Sequence, residues 1–421
     1  SVQKSETHTY LHNVDASYTS PFGLQLSASY TNYQNPRTQH LDGHLYDTER
    51  NLYVDSRQRI SKWLFAADQT HDIGKGWELN YGAEAQLTNN MSYQTTRDAN
   101  GLPLADATSH VDYDERILDL YAGFSKQLTP SFSVETSLGA EQYHTPKWNE
   151  WRWYPTLNAL WTANKNNMFN LSFSSQNVFP SYWSTMSSIF YSSAYSEIWG
   201  NPDLKPSSVY DIDLTWQLRQ RYTFTAYAEF LPDYSVQLAY QPADRMAVIM
   251  KETNFNYMNV YGIQASAHFS AGKWLNGTVM ATGNYRREKS DHFFDLPFDR
   301  KQLTAILSST TAIRFSQRHD IRLVLNPFFQ SKAIQGVYDI DPVFRLNTSL
   351  RWTSDNQKWS VIVAGNNITN SRFITHSRLA NQDYTMRVWM EYPNASLTVI
   401  YRIGGFKEKK TKVVDTSRMG Y

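Results

Sequence analysis

Trp199-Gly200-Asn201-Pro202-Asp203-Leu204-Lys205-Pro206 runs directly into Ser207-Ser208-Val209-Tyr210-Asp211-Ile212-Asp213-Leu214-Thr215-Trp216-Gln217-Leu218. Neither proline can continue a helix or donate to a sheet, so 200–206 is a rigid entry segment. Beyond it, Tyr210, Ile212, Leu214, Trp216 and Leu218 alternate strictly with Asp211, Asp213, Thr215, Gln217 and Arg219. A period of two puts the apolar set on one face of a strand and the charged set on the other. After a polar break at Gln220-Arg221 the pattern restarts, with Tyr222, Phe224, Ala226, Ala228 and Phe230 set against Thr223, Thr225, Tyr227 and Glu229. The stretch is a hairpin with one greasy face and one wet face.

The same alternation recurs on both sides of it. Leu24, Leu26, Ala28 and Tyr30 form one set; Leu79, Tyr81, Ala83, Ala85 and Leu87 another; Leu118, Leu120, Ala122 and Phe124 a third. Phe132, Val134, Thr136, Leu138 and Ala140 follow, then Phe344, Leu346, Leu350 and Trp352, and lastly Leu397, Val399, Tyr401 and Ile403. No comparable stretch shows a 3.6-residue period. The chain reads as all-β.

Composition narrows the class. Over 421 residues, 19% are charged and 15% aromatic, with mean hydropathy −0.56. No apolar run approaches the ~18 residues of a membrane helix, which excludes a helical membrane protein. A membrane barrel is compatible, because only alternate residues of its strands face lipid. The absence of cysteine removes disulfides, thiol catalysis and cysteine metal sites. A net charge of +1 gives no case for nucleic acid as a partner. The chain opens at Ser1 without an initiator methionine or a signal-peptide pattern, and its N-terminus is read as processed or truncated.

Connections fall into two classes that take turns. Short ones lie at 20–23, 74–76, 129–131, 165–167, 220–221, 272–273, 318–320 and 355–358, and are rich in Gly, Pro, Asn or other polar residues. Longer, irregular ones are expected at 31–50, 97–110, 143–150, 181–207, 287–300 and 371–383. Short turns on one rim and long loops on the other are the layout of an antiparallel, up-and-down transmembrane β-barrel of the outer membrane, with the short turns periplasmic. The parse gives about 17 strands. Aromatics crowd the strand ends beside the short turns, namely Tyr18, Phe22, Trp77, Phe132, Trp161, Phe169, Tyr222, Trp274, Phe315, Trp352 and Trp359, as a belt at the lipid headgroups would. Asp211, Asp213, Glu229, Arg219, Arg314, Arg345 and Arg351 are assigned to the lumen.

Gly200, Asn201, Pro202, Leu204, Lys205 and Pro206, set at the long-loop rim and feeding an alternating strand, resemble a motif of the TonB-dependent outer-membrane receptors. Val361-Ile362-Val363-Ala364-Gly365-Asn366-Asn367-Ile368-Thr369-Asn370 is similar to that family's penultimate strand, and 397–405 to its last. The Lys-rich stretch after it resembles the Bacteroidota-type branch of outer-membrane barrels. The resemblance implies a barrel of about 22 strands with an N-terminal plug and a TonB-binding box. On that reading this chain supplies strands 6 to 22 as a barrel domain, 1–405, with a periplasmic tail, 406–421; the plug, the box and the first strands are not in it. It implies a transporter or receptor for a scarce nutrient (siderophore, glycan, cobalamin or peptide) that works with the TonB–ExbB–ExbD system through the plug, lies in outer-membrane lipid and has a surface lipoprotein as a conceivable partner. Two departures stand out: the tail runs on past the last strand, and Ser207 stands where the family often has glutamate.

Candidate binding residues lie on the long-loop rim. Tyr182, Trp183, Phe190, Tyr191 and Trp199 sit in a Ser-rich frame suited to a planar or sugar-like ligand, or else fold inward and pack on one another. Trp148, Trp151 and Trp153 form a second cluster, read equally as ligand contacts or headgroup anchors. His40 and His44 are four apart but in an expected loop, so no metal site is assigned. With no Gly-x-Ser-x-Gly elbow and no phosphate loop, neither an enzyme nor a cofactor is expected. The alternatives are a plugless porin-like or adhesion barrel, which the lack of an upstream plug would favour, and a barrel hydrolase, which a required rim histidine would favour.

Overall fold

The computed structural model describes residues 2–45, 48–193, 195–316, 319–403 and 418. Most of the chain is one 18-stranded sheet in which successive strands pair antiparallel, from Gln25–Leu45 and Thr48–Gly74 to Trp359–Asn366 and Asn394–Tyr401. Val2–Thr7 and Tyr10–Thr19 lie end to end against a single partner, Gln25–Leu45. Eighteen strands with two sharing one place leave 17 places in the wall, as the alternation led us to expect. The architecture is an up-and-down barrel wall.

Facing follows the period of two. On Ser207–Leu218, Ile212 and Leu214 are exposed on the outside, while Thr215 Oγ1 meets Thr225 Oγ1 at 3.0 Å on the inner face. Leu138, Leu171, Ile263, Leu303, Leu307 and Val363 are likewise exposed. So wide an apolar exterior suits hydrocarbon and not water. Near the short-turn rim Phe132, Trp161, Phe169, Trp216 and Phe224 are directly paired residues on five successive strands. The centroids of Trp161 and Phe169 are 5.4 Å apart, those of Phe169 and Trp216 6.1 Å, and those of Trp216 and Phe224 5.3 Å. This continuous row is the aromatic belt.

The turn after Ser207–Leu218 corrects one assignment. Arg219 and Gln220 both have positive φ, 53° and 52°, the pattern of a type I′ hairpin turn built without Gly or Asn. Arg219 therefore sits in the turn and not on the lumen face.

The long-loop rim is more ordered than its sequence implies. The expected loop at 31–50 is wall: Gln25–Leu45 pairs along its whole length with 48–68. Two small sheets stand on the rim. One joins Ile189–Ser193, Ser196–Trp199, Val248–Asn254 and Ser235–Tyr240; the other joins Ala333–Gln335, Tyr338–Ile340, Phe373–Ser377 and Tyr384–Val388. Leu238, Phe255, Phe293, Leu296, Phe298, Val337 and Tyr338 make a buried core between them. Two long connections, 233–256 and 331–342, escaped the sequence reading, because their short strands alternate just as wall strands do.

Both edges of the wall are bare. Every residue of Asn394–Tyr401 is exposed, as are nearly all of Tyr10–Thr19, and among the described residues no ladder joins the two. Both run toward the short-turn rim, so pairing them directly would need a parallel ladder. The tail, 406–421, falls outside the described residues except for Arg418. The expected periplasmic tail thus lies outside the described residues; Arg418 itself lies beside Glu115, its guanidinium against the buried carboxylate.

Substituting Leu214→Arg should destabilise the folded barrel by ~2–4 kcal/mol if the residue lies near the bilayer midplane, and Thr215→Arg by less than ~1 kcal/mol. Urea unfolding in lipid vesicles would measure both; equal losses, or the reverse order, would contradict the facing.

Candidate ligand-binding rim

The 200–206 segment is the knot of the rim. A Cβ on Gly200 would lie 1.9 Å from the Met186 carbonyl oxygen, so only glycine allows this approach. Gly200 N donates to Ser188 O and Asn201 N to Ser184 O, which ties the entry segment to the 181–199 loop. Asn201 Nδ2 donates to Glu252 O at 2.9 Å, and Lys205 N to Asn254 Oδ1 at 2.9 Å. Asn254 Nδ2 in turn donates to Lys205 O and Asp233 O. Leu204 is 2% exposed and anchors the segment. Three stretches of chain are thus fastened at one place.

Ser207 closes the knot by itself. Its hydroxyl donates to Asp233 O at 2.7 Å and accepts from Ser235 N at 3.0 Å, joining the barrel strand to the rim sheet. Arg152 reaches in from Asn149–Asn164 to donate to Pro206 O and Ser208 Oγ at 3.1 and 2.7 Å. Lys147 pairs with Asp203 at 2.6 Å, and the Lys205 ammonium lies 5.1 Å from the Trp148 ring centroid.

The structure divides the eight candidate aromatics. Tyr182 is buried with Tyr33 and Ile60, and Tyr191 with Leu41, Leu52 and Ala107. Phe190 is buried under the Arg37 guanidinium, 4.5 Å from its ring, with Trp183 edge-on at 5.5 Å. Trp199 Nε1 donates to Glu197 at 2.9 Å. Of these five, Tyr182, Phe190 and Tyr191 are buried, and Trp183 and Trp199 are half-buried. Trp151 and Trp153 are exposed on the outer face and are not brought to the other five. Trp148 lines an open cavity of about 320 Å³, together with His110, Asp112, Tyr113, Lys147 and Pro202.

The lumen face below carries a like-charge row. Glu84 is directly opposite Asp119, and Asp119 is directly opposite Glu141, across three strands. Asp211 likewise faces Glu229. Opposed carboxylates destabilise a sheet; here Glu141 is offset by donors from Asn177 Nδ2 at 2.7 Å and Tyr154 Oη at 3.4 Å. Sequence reading picked out Asp211 and Glu229, and placed Arg152 beside the second tryptophan cluster, but missed the row, Glu115 and Asn254. Parity with Asp119 could have placed Glu115 in the lumen; nothing local marks Asn254.

The sequence profile of the outer membrane protein beta-barrel family matches residues 22–401. The chain belongs to that family. It is an outer-membrane barrel, and solved structures of the same fold agree. The ferric yersiniabactin uptake receptor FyuA of Yersinia pestis is 12% identical with a TM-score of 0.61, over 94% of this chain and 61% of that one. The pyoverdine receptor FpvA of Pseudomonas aeruginosa PAO1, bound to pyoverdine, is 13% identical with a TM-score of 0.61, over 95% and 62%. The FrpB iron transporter of Neisseria meningitidis (F5-1 variant) is 13% identical with a TM-score of 0.57, over 94% and 72%. This family member thus spans about three fifths of the length of the first two. No curated protein matches its sequence. The resemblance read from 200–206 holds at the level of the fold.

Gly200→Ala and Asn254→Ala should each loosen the rim and leave the wall intact. Limited proteolysis should cut within 181–199 about tenfold faster, with heat-modifiable mobility on gels unchanged. Unchanged cleavage, or collapse of the barrel together with the rim, would contradict the role given to the knot.

Proposed function

We propose that this chain is the barrel portion of a TonB-dependent receptor that takes up a scarce nutrient through the outer membrane. The observation that carries the reading is the combination of a bare-edged wall with an acidic inner row. Unpaired strand edges cost several kcal/mol per group in hydrocarbon, so they need further strands. Opposed carboxylates at 84, 119 and 141 are stabilised by a cationic occupant, as a plug segment would supply. Seventeen places with about five more strands make the wall of about 22 that the resemblance implies, wide enough to need a plug. That the fold is shared with a ferric yersiniabactin uptake receptor, a pyoverdine receptor and an iron transporter supports an uptake role.

In this reading the chain performs no bond chemistry. The rim cavity beside Trp148, Tyr113, Lys147 and Asp112 offers a first contact with aromatic, cationic and anionic groups together. The tied rim holds that contact still, the plug closes the lumen, and TonB disturbs the plug to admit the cargo. A surface lipoprotein could dock on the two rim sheets.

Cells carrying the whole protein separate the cargoes. Radiolabelled ferric siderophore, oligosaccharide, cobalamin and peptide are offered in turn. One should be taken up saturably, with uptake lost and surface binding kept when TonB is deleted. Non-saturable entry that persists without TonB would contradict the reading and favour a porin.

A further inference from the structure

Glu115 is on the inner face of Ser109–Thr129, toward its long-loop end, and is 1% exposed. A carboxylate so buried is tolerated only where donors surround it. Tyr182 Oη donates to Oε1 at 2.7 Å and Tyr143 Oη to Oε2 at 3.1 Å. Gln86 Nε2 donates to Oε1 at 3.5 Å, and the Arg418 guanidinium adds Nη1 to Oε1 at 2.9 Å and Nη2 to Oε2 at 2.8 Å. This is the bidentate fork that a carboxylate makes with a planar guanidinium.

The rest of the surroundings also fit that shape. Arg418 Nε donates to Pro180 O at 3.2 Å, so the third edge of the guanidinium is matched. The Tyr182 and Phe179 ring centroids lie 4.4 and 4.9 Å from its central carbon. A lysine ammonium could use neither the fork nor the flat stacking surfaces to the same extent.

None of these walls belongs to the C-terminal stretch. Tyr143 comes from Phe132–His144 and its ring centroid is 5.0 Å from that of Phe179. Tyr182 is fixed in the core with Tyr33 and Ile60. The receptacle is held by the barrel and its rim, and Arg418 is a guest in it. We propose that Glu115, Tyr143, Phe179 and Tyr182 form a guanidinium-binding subsite, occupied here by the chain's own Arg418 and open to a guanidinium-bearing ligand when Arg418 is withdrawn. The subsite does not depend on the uptake reading above.

The test uses the whole protein, extracted from the outer membrane in detergent, with L-argininamide as probe and L-lysinamide as control, followed by titration calorimetry. Arg418→Ala should bind argininamide at least about tenfold more tightly than the unaltered protein, whose subsite is filled, and should discriminate against lysinamide. Adding Glu115→Gln should abolish that gain. Should the Glu115 variant fail to fold on a heat-modifiability gel, Tyr143→Phe and Tyr182→Phe in the Arg418→Ala background take its place, each lowering argininamide affinity several-fold. Equal binding by the unaltered and Arg418→Ala proteins would overturn the proposal. So would equal affinity for argininamide and lysinamide, or indifference to both tyrosine changes. Because the readout is binding of a small amide, a failure here leaves nutrient uptake untouched, and a failure of uptake leaves this result standing.

Discussion

Backbone hydrogen bonding in hydrocarbon governs this molecule. A strand in lipid must give each amide and carbonyl a partner inside the protein, because no water is there to supply one. That demand produces a wall in which each strand pairs with the next in sequence, and it makes the bare edges at Tyr10–Thr19 and Asn394–Tyr401 the most consequential feature of the chain. The exterior satisfies the same solvent by different means. Leu171, Leu214 and Ala226 meet side by side in apolar rows, and the Trp161–Phe169–Trp216–Phe224 row marks where lipid gives way to headgroups.

Above the membrane the constraint changes. Loops in water can satisfy their own backbone, so rigidity there has to be built, and it is built at 200–206. Two prolines limit the conformations of the segment, Gly200 lets it touch the Met186 carbonyl, Asn201 donates to Glu252 O, and Asn254 donates to Lys205 O and Asp233 O. Ser207 has only one hydroxyl, yet it bridges Asp233 and Ser235. That bridge gives a physical account of serine at this position, where the TonB-dependent receptors often have a longer acidic residue.

The wall was legible because its code is local: one glance at Tyr210 to Leu218 gives the face of every residue. Strand number and belt followed from repetition. What the sequence hid was whatever depends on distant partners. Thr31 to Leu45 looks like a polar loop because polar residues fall on both faces of its alternation, yet it is wall. Ser235–Tyr240 alternates like a wall strand but belongs to a rim sheet, since nothing in an alternation says which sheet a strand joins. Arg219 kept the period of its strand into a type I′ turn. The aromatics at 182, 190 and 191 were visible as a cluster, but their burial was decided by Tyr33, Leu41, Leu52 and Arg37, more than a hundred residues away.

The central claim is that this wall, left to itself, has two strand edges that lipid cannot tolerate. Its most direct test is to refold residues 1–421 alone into a planar bilayer and record conductance. The account predicts no stable closed barrel: either failure to insert, or large, fluctuating leaks through an unsealed wall. Steady, non-leaking insertion of this chain alone, with the amides of Asn394–Tyr401 protected from hydrogen exchange, would contradict it.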